Sequence, residues 1–262
     1  MLPAQTAAPN AAGVSFGHIH LMTADADLMK KTLIDLLGGT PETIGALNTV
    51  KTPGVFFIIG QSAKASGGTK GSAVDHIGFS VKSYADVKAK AMAANLGFQE
   101  LTKDVQAFIT LPGDVILEIQ EDTSISAPAV FTHYHLNSPD PNATREWYIK
   151  TFGGVEGERR KGNKGAVIPG GIVDILAYGG AGRGGKAPAT PPAPLAPTQG
   201  RVLDHIGFEV KGLKGFTDKL QADGIKLDRP YSELKSKIGV DLAFLTDPNG
   251  AYIELTEGLA GK

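Results

Sequence analysis

Four copies of one short pattern govern what this chain can fold into: FGHIHLMTADAD from residue 16, VDHIGFSVKSYAD from 74, FTHYHLNSPDPN from 131 and LDHIGFEVKGLKG from 203. Each opens on residues that alternate in polarity, the period of a β-strand. Each continues into a helical segment that closes on glycine: DLMKKTLIDLLGG, YADVKAKAMAANLG, PNATREWYIKTFGG and LKGFTDKLQADG. Leu28, Thr32 and Leu36 share one face of the first helix, and Leu213, Phe216 and Leu220 one face of the last. The closing glycine supplies a left-handed cap. His18 and Gly38, His76 and Gly97, His133 and Gly153, and His205 and Gly224 stand at nearly the same interval, so one supersecondary unit is used four times. Further short strands follow each helix and end in GVFFIIG (54–60), DVILEIQ (114–120), GIVDILAYG (171–179) and AYIELTE (251–257). The predicted class is therefore α+β, built from four βαβββ modules.

The linkers suggest how the modules group. GQSAKASGGTKGS is flexible, APATPPAPLAPTQ (187–199, within a connector spanning 181–200) is extended, and EDTSISAPAV between modules two and three is short. A boundary near residue 126 gives an N-terminal pair of modules, 16–125, and a C-terminal pair, 126–262. Residues 1–15 read as a disordered lead. AQTAAPN is the kind of start left by signal removal, so a cytoplasmic protein and a periplasmic or secreted one both stay open.

Several function classes fall away. The absence of cysteine excludes disulfides, thiolate zinc sites and a thiol nucleophile. A net charge of −1, with GERRKG (157–162) the densest basic spot, argues against a nucleic-acid footprint. No apolar run is long enough to cross a membrane. Glu158–Lys161 reads as a solvated loop rather than an anion clamp, and Trp147 and Tyr148 as helix-face core residues.

All six histidines, His18, His20, His76, His133, His135 and His205, lie in the four opening strands. Strand alternation sends Ile206, Phe208 and Val210 to the core, and leaves His205 on the opposite face beside Gly207. GHIHL and THYHL partition likewise. In the final strands Glu118 and Glu254 interrupt aliphatic rows, where a carboxylate is costly unless paired or metal-bound. Two imidazoles and a carboxylate facing a cavity make a 2-His-1-carboxylate site for a divalent metal. Pairing sequential modules gives His18, His76 and Glu118 in the first half, and His133, His205 and Glu254 in the second. Asp174 is a possible additional ligand, while module one has Phe57 in that region. His20 and His135 read as neighbours of the ligands or substrate contacts, and Tyr252 as a further substrate contact.

DHIGF twice, HYHLNSPDP, WYIKTFGG and LTDPNGAYIEL together resemble the vicinal oxygen chelate superfamily of glyoxalase I, bleomycin- and fosfomycin-resistance proteins and extradiol dioxygenases, from about residue 16 to 258. The resemblance implies βαβββ modules paired into two half-open barrels that cup a divalent metal. Four-module chains are similar to the extradiol and 4-hydroxyphenylpyruvate dioxygenase branches, where the C-terminal pair binds iron; this ranks His133, His205 and Glu254 first. YSELKSKIGVDLAFLTDPNG lacks the His and Tyr of the extradiol branch and has Phe244 near the Tyr position. Glyoxalase I uses four ligands, and pairing modules two and three would offer His76, Glu118, His133 and Asp174. The implied function is a metal-dependent enzyme of glyoxalase or dioxygenase type that chelates adjacent oxygens of a small substrate, with His135 and Tyr252 as catalytic candidates. Fe(II) or Mn(II) is the expected cofactor, with Ni, Zn or Co as alternatives. A glyoxalase-like isomerase or lyase and a non-catalytic, antibiotic-sequestering binding protein are the rivals. A monomer or homodimer is expected, with no nucleic-acid or membrane partner.

Overall fold

The computed structural model describes residues 6–160, 162–178 and 194–262. Module one comprises β1 (Val14–Thr23), α1 (Ala26–Leu37), β2 (Thr40–Ile44), β3 (Leu47–Thr52) and β4 (Val55–Gln61). Module two comprises β5 (Val74–Val81), α2 (Tyr84–Ala93), β6 (Gly97–Thr102), β7 (Gln106–Leu111) and β8 (Val115–Glu121). Module three comprises β9 (Ala129–Ser138), α3 (Pro141–Phe152), β10 (Val155–Arg160), β11 (Asn163–Ile168) and β12 (Gly171–Ala177). Module four comprises β13 (Leu203–Val210), α4 (Leu213–Ala222), β14 (Arg229–Ser232), the one-turn α5 (Lys235–Ile238), β15 (Asp241–Thr246) and β16 (Tyr252–Glu257). The Pro-rich connector lies outside the described residues up to position 193.

Capping residues set the helix starts. Asp25 accepts the Leu28 N–H at 2.9 Å, Ser83 that of Asp86 at 3.2 Å and Asp140 that of Ala143 at 3.0 Å. Each satisfies a donor that no helix carbonyl reaches. Gly38 and Gly153 close α1 and α3 at φ 67°, but Asn95, at φ 53°, makes the turn after α2, and Gly97 opens β6 instead. Asparagine tolerates the left-handed region better than most side-chain-bearing residues. In α1 Leu28 faces solvent while Met29 and Leu33 are buried, whereas Leu213, Phe216 and Leu220 are buried as their spacing implied.

The strands form two eight-stranded mixed sheets. One runs β14-β15-β16-β13-β1-β4-β3-β2 and joins module four to module one. The other runs β10-β11-β12-β9-β5-β8-β7-β6 and joins module three to module two. This overturns the division into 16–125 and 126–262, because each sheet takes one module from each half. The short link is the reason: β8 ends at Glu121, β9 begins at Ala129, and Ala129 pairs with Val81 of β5. EDTSISAPAV carries the chain between neighbours in one sheet rather than between domains. Neither sheet closes into a barrel; β2 and β14 are the edges of one, β6 and β10 of the other.

One continuous apolar core joins the sheets. Phe16 of β1 lies 5.2 Å, ring to ring, from Phe131 and Tyr134 of β9 and from Phe208 of β13. Full burial of such a ring stabilises the fold by about 1.5–3 kcal/mol. The Tyr134 hydroxyl donates to the His18 carbonyl at 2.9 Å, tying module three to module one. Part of the expected disordered lead is anchored: Thr6 is buried, and Asn10 Nδ2 donates to the Phe152 and Gly153 carbonyls at 2.9 and 3.0 Å, at the end of α3.

Candidate metal centre

Strand register explains why histidine and glycine recur together. His18 lies opposite Gly207 and His20 opposite His205. In the other sheet His133 lies opposite Gly78 and His135 opposite His76. Opposed residues project to the same face, so each His-x-His strand sets its two rings over a DHIGF strand. On its other side Gly207 pairs with Glu254, and Gly78 with Glu118. A Cβ at 207 or 78 would come within 2.1 or 1.8 Å of the ring of His18 or His133. Because these glycines carry no side chain, each histidine reaches across to the carboxylate beyond.

In the sheet of modules one and four, His18 Nε2 and His205 Nε2 lie 2.9 and 2.8 Å from the same oxygen, Glu254 Oε2. Asp204 Oδ1 holds His205 Nδ1 at 2.6 Å. The donor atoms of His18, His20, His205 and Glu254 all lie within 4.8 Å of one another. Phe244 and Tyr252 stack at 4.9 Å, and both meet the His205 ring edge-on. Burial works to raise the Glu254 carboxyl, but hydrogen bonds with His18 and His205 hold it well below the usual range. Burial opposes charge on His205 too, yet Asp204 and Glu254 raise it to about 9. Burial and the neighbouring His205 push His20 down to about 3.

In the sheet of modules two and three, His76 Nε2 lies 3.0 Å from Glu118 Oε2 and 2.5 Å from His135 Nδ1. Asp75 Oδ1 holds His76 Nδ1 at 2.6 Å. His133 Nε2 is 3.9 Å from Glu118 Oε2, and its Nδ1 meets the Thr132 hydroxyl at 2.8 Å. His135 Nε2 lies 3.2 Å from the fully buried Asp174. Arg159 reaches Asp174 Oδ2 at 2.9 Å and Glu118 Oε1 at 3.3 Å; Arg160 reaches Glu118 Oε1 at 3.3 Å and Gln120 at 2.6 Å. Burial works to raise Glu118, but His76 and Arg159 hold it at about 2. Burial pushes His133 well below its ordinary value and lowers His135 as well. A cleft of about 780 Å³ opens onto Glu118, His133, Arg159 and Arg160.

Both clusters fit a divalent cation. A neutral histidine whose Nδ1–H is given to an aspartate presents a lone pair at Nε2. At His76 and His205 that lone pair faces a carboxylate oxygen, an arrangement that is stable only with a proton or cation between them. His18 Nδ1, His133 Nε2 and Asp174 Oδ1 are buried with no hydrogen-bond partner. Imidazoles with a carboxylate are the donor set of first-row divalent metals.

The groupings expected from sequential modules change. His18 meets His205 and Glu254, not His76 and Glu118; His133 meets His76 and Glu118, not His205 and Glu254. His135 and Tyr252, the two catalytic candidates, stand in different sheets. Asp174 pairs with His135, the place that Gly78 holds beside Glu118, so the two carboxylates share one register. In module one that place is Ile58, which pairs with His20, rather than Phe57. The solvated-loop reading of Glu158–Lys161 fails at Arg159 and Arg160, which belong to β10 and turn into the site. Asp75 and Asp204 were present in the DHIGF repeats but not read as histidine partners.

Residues 130–255 match the family model of the Glyoxalase/Bleomycin resistance protein/Dioxygenase superfamily. The fold is similar to glyoxalase I from Zea mays, with TM-score 0.66, 12% identity, and coverage of 93% of this chain and 92% of that one. It is also similar to a mutant of the same maize enzyme, with TM-score 0.65, 11% identity and 94% of each chain covered. A Bacillus subtilis subsp. subtilis protein whose dioxygenase designation is provisional gives TM-score 0.65 at 12% identity, over 98% of this chain and 88% of that one. Likeness at this level of identity speaks to fold alone. No curated protein matches the sequence significantly.

Proposed function

Through residues 130–255 the chain belongs to the Glyoxalase/Bleomycin resistance protein/Dioxygenase superfamily, and from that premise we propose that it is a divalent-metal-dependent enzyme acting on a small substrate with adjacent oxygens. The observation that carries this reading is the meeting of histidine nitrogens from two modules on one carboxylate oxygen, Glu254 Oε2, with the same arrangement built around Glu118 in the second sheet.

The working centre is the one across β5 and β9, because the cleft opens on Glu118 and His133. His76, His133 and Glu118 hold the metal, with His135 or Asp174 beside them. The cluster of His18, His205 and Glu254, with His20, is the second site. A divalent ion held in this way supplies Lewis acidity to substrate oxygens. Asp75 fixes the His76 tautomer by accepting its Nδ1 proton, and the Thr132 hydroxyl orients the His133 ring. Burial lowers His135 and so favours its neutral ring, the form that binds a cation or takes a proton. Tyr252 and Phe244 wall the second site.

A fourth donor favours the glyoxalase-like isomerase or lyase form over the dioxygenase form. The donor atoms of His76, Glu118, His133 and His135 lie within 4.8 Å of one another, with the buried Asp174 behind His135, so four ligands are available where oxygen activation needs an open three-ligand face. Elemental analysis of untagged protein, purified without chelators, tests the proposal. One or two equivalents of divalent metal are expected, with Ni, Zn or Co favouring the isomerase or lyase form and Fe or Mn the dioxygenase. Protein that stays metal-free after reconstitution with each of these ions overturns it.

A further inference from the structure

We infer that Arg159 and Arg160 recognise a carboxylate in the cleft of modules two and three, so that the substrate is a small carboxylic acid with an oxygen on the carbon next to the carboxylate. The inference rests on the metal-centre reading above and adds the substrate class to it.

Backbone geometry brings the two arginines in together. Consecutive strand residues normally face opposite ways, but the β10–β11 register shifts between Glu158 and Arg160. Such a bulge re-aims side chains, and both guanidiniums end 3.3 Å from Glu118 Oε1. A row of paired residues, Gly157, Gly165, Asp174, His135 and His76, crosses the same face. A Cβ at Gly165 would come within 3.0 Å of Asp174 Oδ1, the carboxylate that Arg159 holds through Oδ2.

The arginines are not fully used by the protein. Arg159 gives Nε to Asp174 and Nη1 to Glu118, while Nη2 is buried with no partner. Leaving a buried donor unsatisfied is destabilising, and an acceptor that reaches it from the cleft, which Arg159 lines, removes that penalty. The guanidinium fork matches a carboxylate in two-point geometry. Glu121 and Asp122, which also line the cleft, are engaged by the Tyr84 N–H at 2.9 Å and the Ser124 N–H at 3.0 Å.

Position decides the kind of acid. Glu118 meets the arginines through Oε1 and His76 through Oε2, so a single carboxylate group bridges the guanidiniums and the ligand nitrogen. A substrate carboxylate held by the arginines would bring an oxygen on its neighbouring carbon towards that same nitrogen's metal. The other sheet shows what the cleft would be without this element: β2, the counterpart of β10, reads TPETI and carries no cation, and Ile58 stands in place of Asp174. Carboxylate and arginines are present together in module three and absent together from module one.

The test is calorimetric titration of the metal-reconstituted full chain with pyruvate, with hydroxyacetone (the same skeleton without the charge) and with inorganic phosphate, the metal content of each sample being measured in parallel. Wild type is expected to bind pyruvate at least about tenfold more tightly than either comparison compound, a charge-assisted forked contact being the difference. That preference is expected to fall at least about fivefold in Arg159→Lys, which keeps the charge but loses the fork. Arg160→Gln alters a half-exposed side chain and leaves the Arg159–Asp174 pair in place, so it serves if Arg159→Lys does not fold, with the same fall expected. A preference unchanged in both variants overturns the inference and leaves the arginines as neutralisers of Glu118 and Asp174. Tighter binding of phosphate than of pyruvate overturns it as well. Wild type that holds metal but shows no preference defeats this inference alone, whereas wild type that holds no metal defeats the enzyme proposal and this inference with it.

Discussion

Gly78 lies against the ring of His133, so close that a Cβ at position 78 would stand 1.8 Å from the imidazole. Gly207 and His18 repeat the relationship in the other sheet. The glycine of DHIGF is thus as much a part of each site as the histidine two residues before it. It provides the gap through which a ring from the facing strand approaches a carboxylate.

Gly78→Ala is therefore expected to push His133 away from Glu118 while leaving the apolar row Ile77, Phe79 and Val81 in place. Metal content should drop by one equivalent, and overpacking should lower the unfolding free energy by about 1–3 kcal/mol. Elemental analysis and urea denaturation of the variant measure the two effects. Full metal content in Gly78→Ala would contradict the role given to the gap.

The strands, the helices and the ligand types were legible because they rest on local chemistry. His18, His76, His133 and His205 fall on the polar side of strands with a clear period of two, and Glu118 and Glu254 interrupt aliphatic runs. Module pairing was not legible, because a His-x-His strand fits over a DHIGF strand equally well whether it comes from module two or module four. The EDTSISAPAV link resembled a boundary by its brevity, although brevity is what places β9 beside β5. Arg159 and Arg160 read from sequence as part of a solvated loop because alternation sends neighbouring residues to opposite faces, and only the bulge in β10 turns both inward. A possible signal was Gly157 and Gly165, two small residues in a row that ends at Asp174 and His135.

Asp75 and Asp204 orient the histidines that follow them in sequence, each at 2.6 Å from Nδ1. Asp75→Asn and Asp204→Asn are each expected to weaken metal binding at their own site by about 10–100-fold, the usual effect of losing such a partner. Competition titration against a chromophoric chelator reports the change. Unaltered affinity in both variants would mean that the aspartates have no part in preparing the ring nitrogens.

Glu209 offers a pH test away from the histidines. Its Oε1 accepts the N–H groups of Gly258, Leu259 and Ala260 at 2.8, 2.9 and 3.0 Å, and Oε2 accepts the Thr256 hydroxyl at 2.9 Å. Burial outweighs these bonds and raises the carboxyl above its ordinary value. The folded chain then holds this proton more tightly than the unfolded chain does. The contribution of Glu209 to stability is greatest below the unfolded pKa of about 4.3 and declines as pH rises towards the folded value. Glu209→Gln cannot ionise, so its urea midpoint should gain on that of wild type as pH increases from about 4 to 7. A gap that narrows or reverses in the other direction would show the carboxyl lowered instead.

Metal stoichiometry in double variants tests the cross-module sites most directly. His76→Ala and His133→Ala should each cost one equivalent, and the double variant should lose no more than either single one, because both rings serve Glu118. His133→Ala combined with His205→Ala should lose both equivalents, since these histidines belong to different sheets. If instead His133 and His205 behave as one site while His76 and His133 lose metal additively, the sites are built from sequential modules and the pairing described here is wrong.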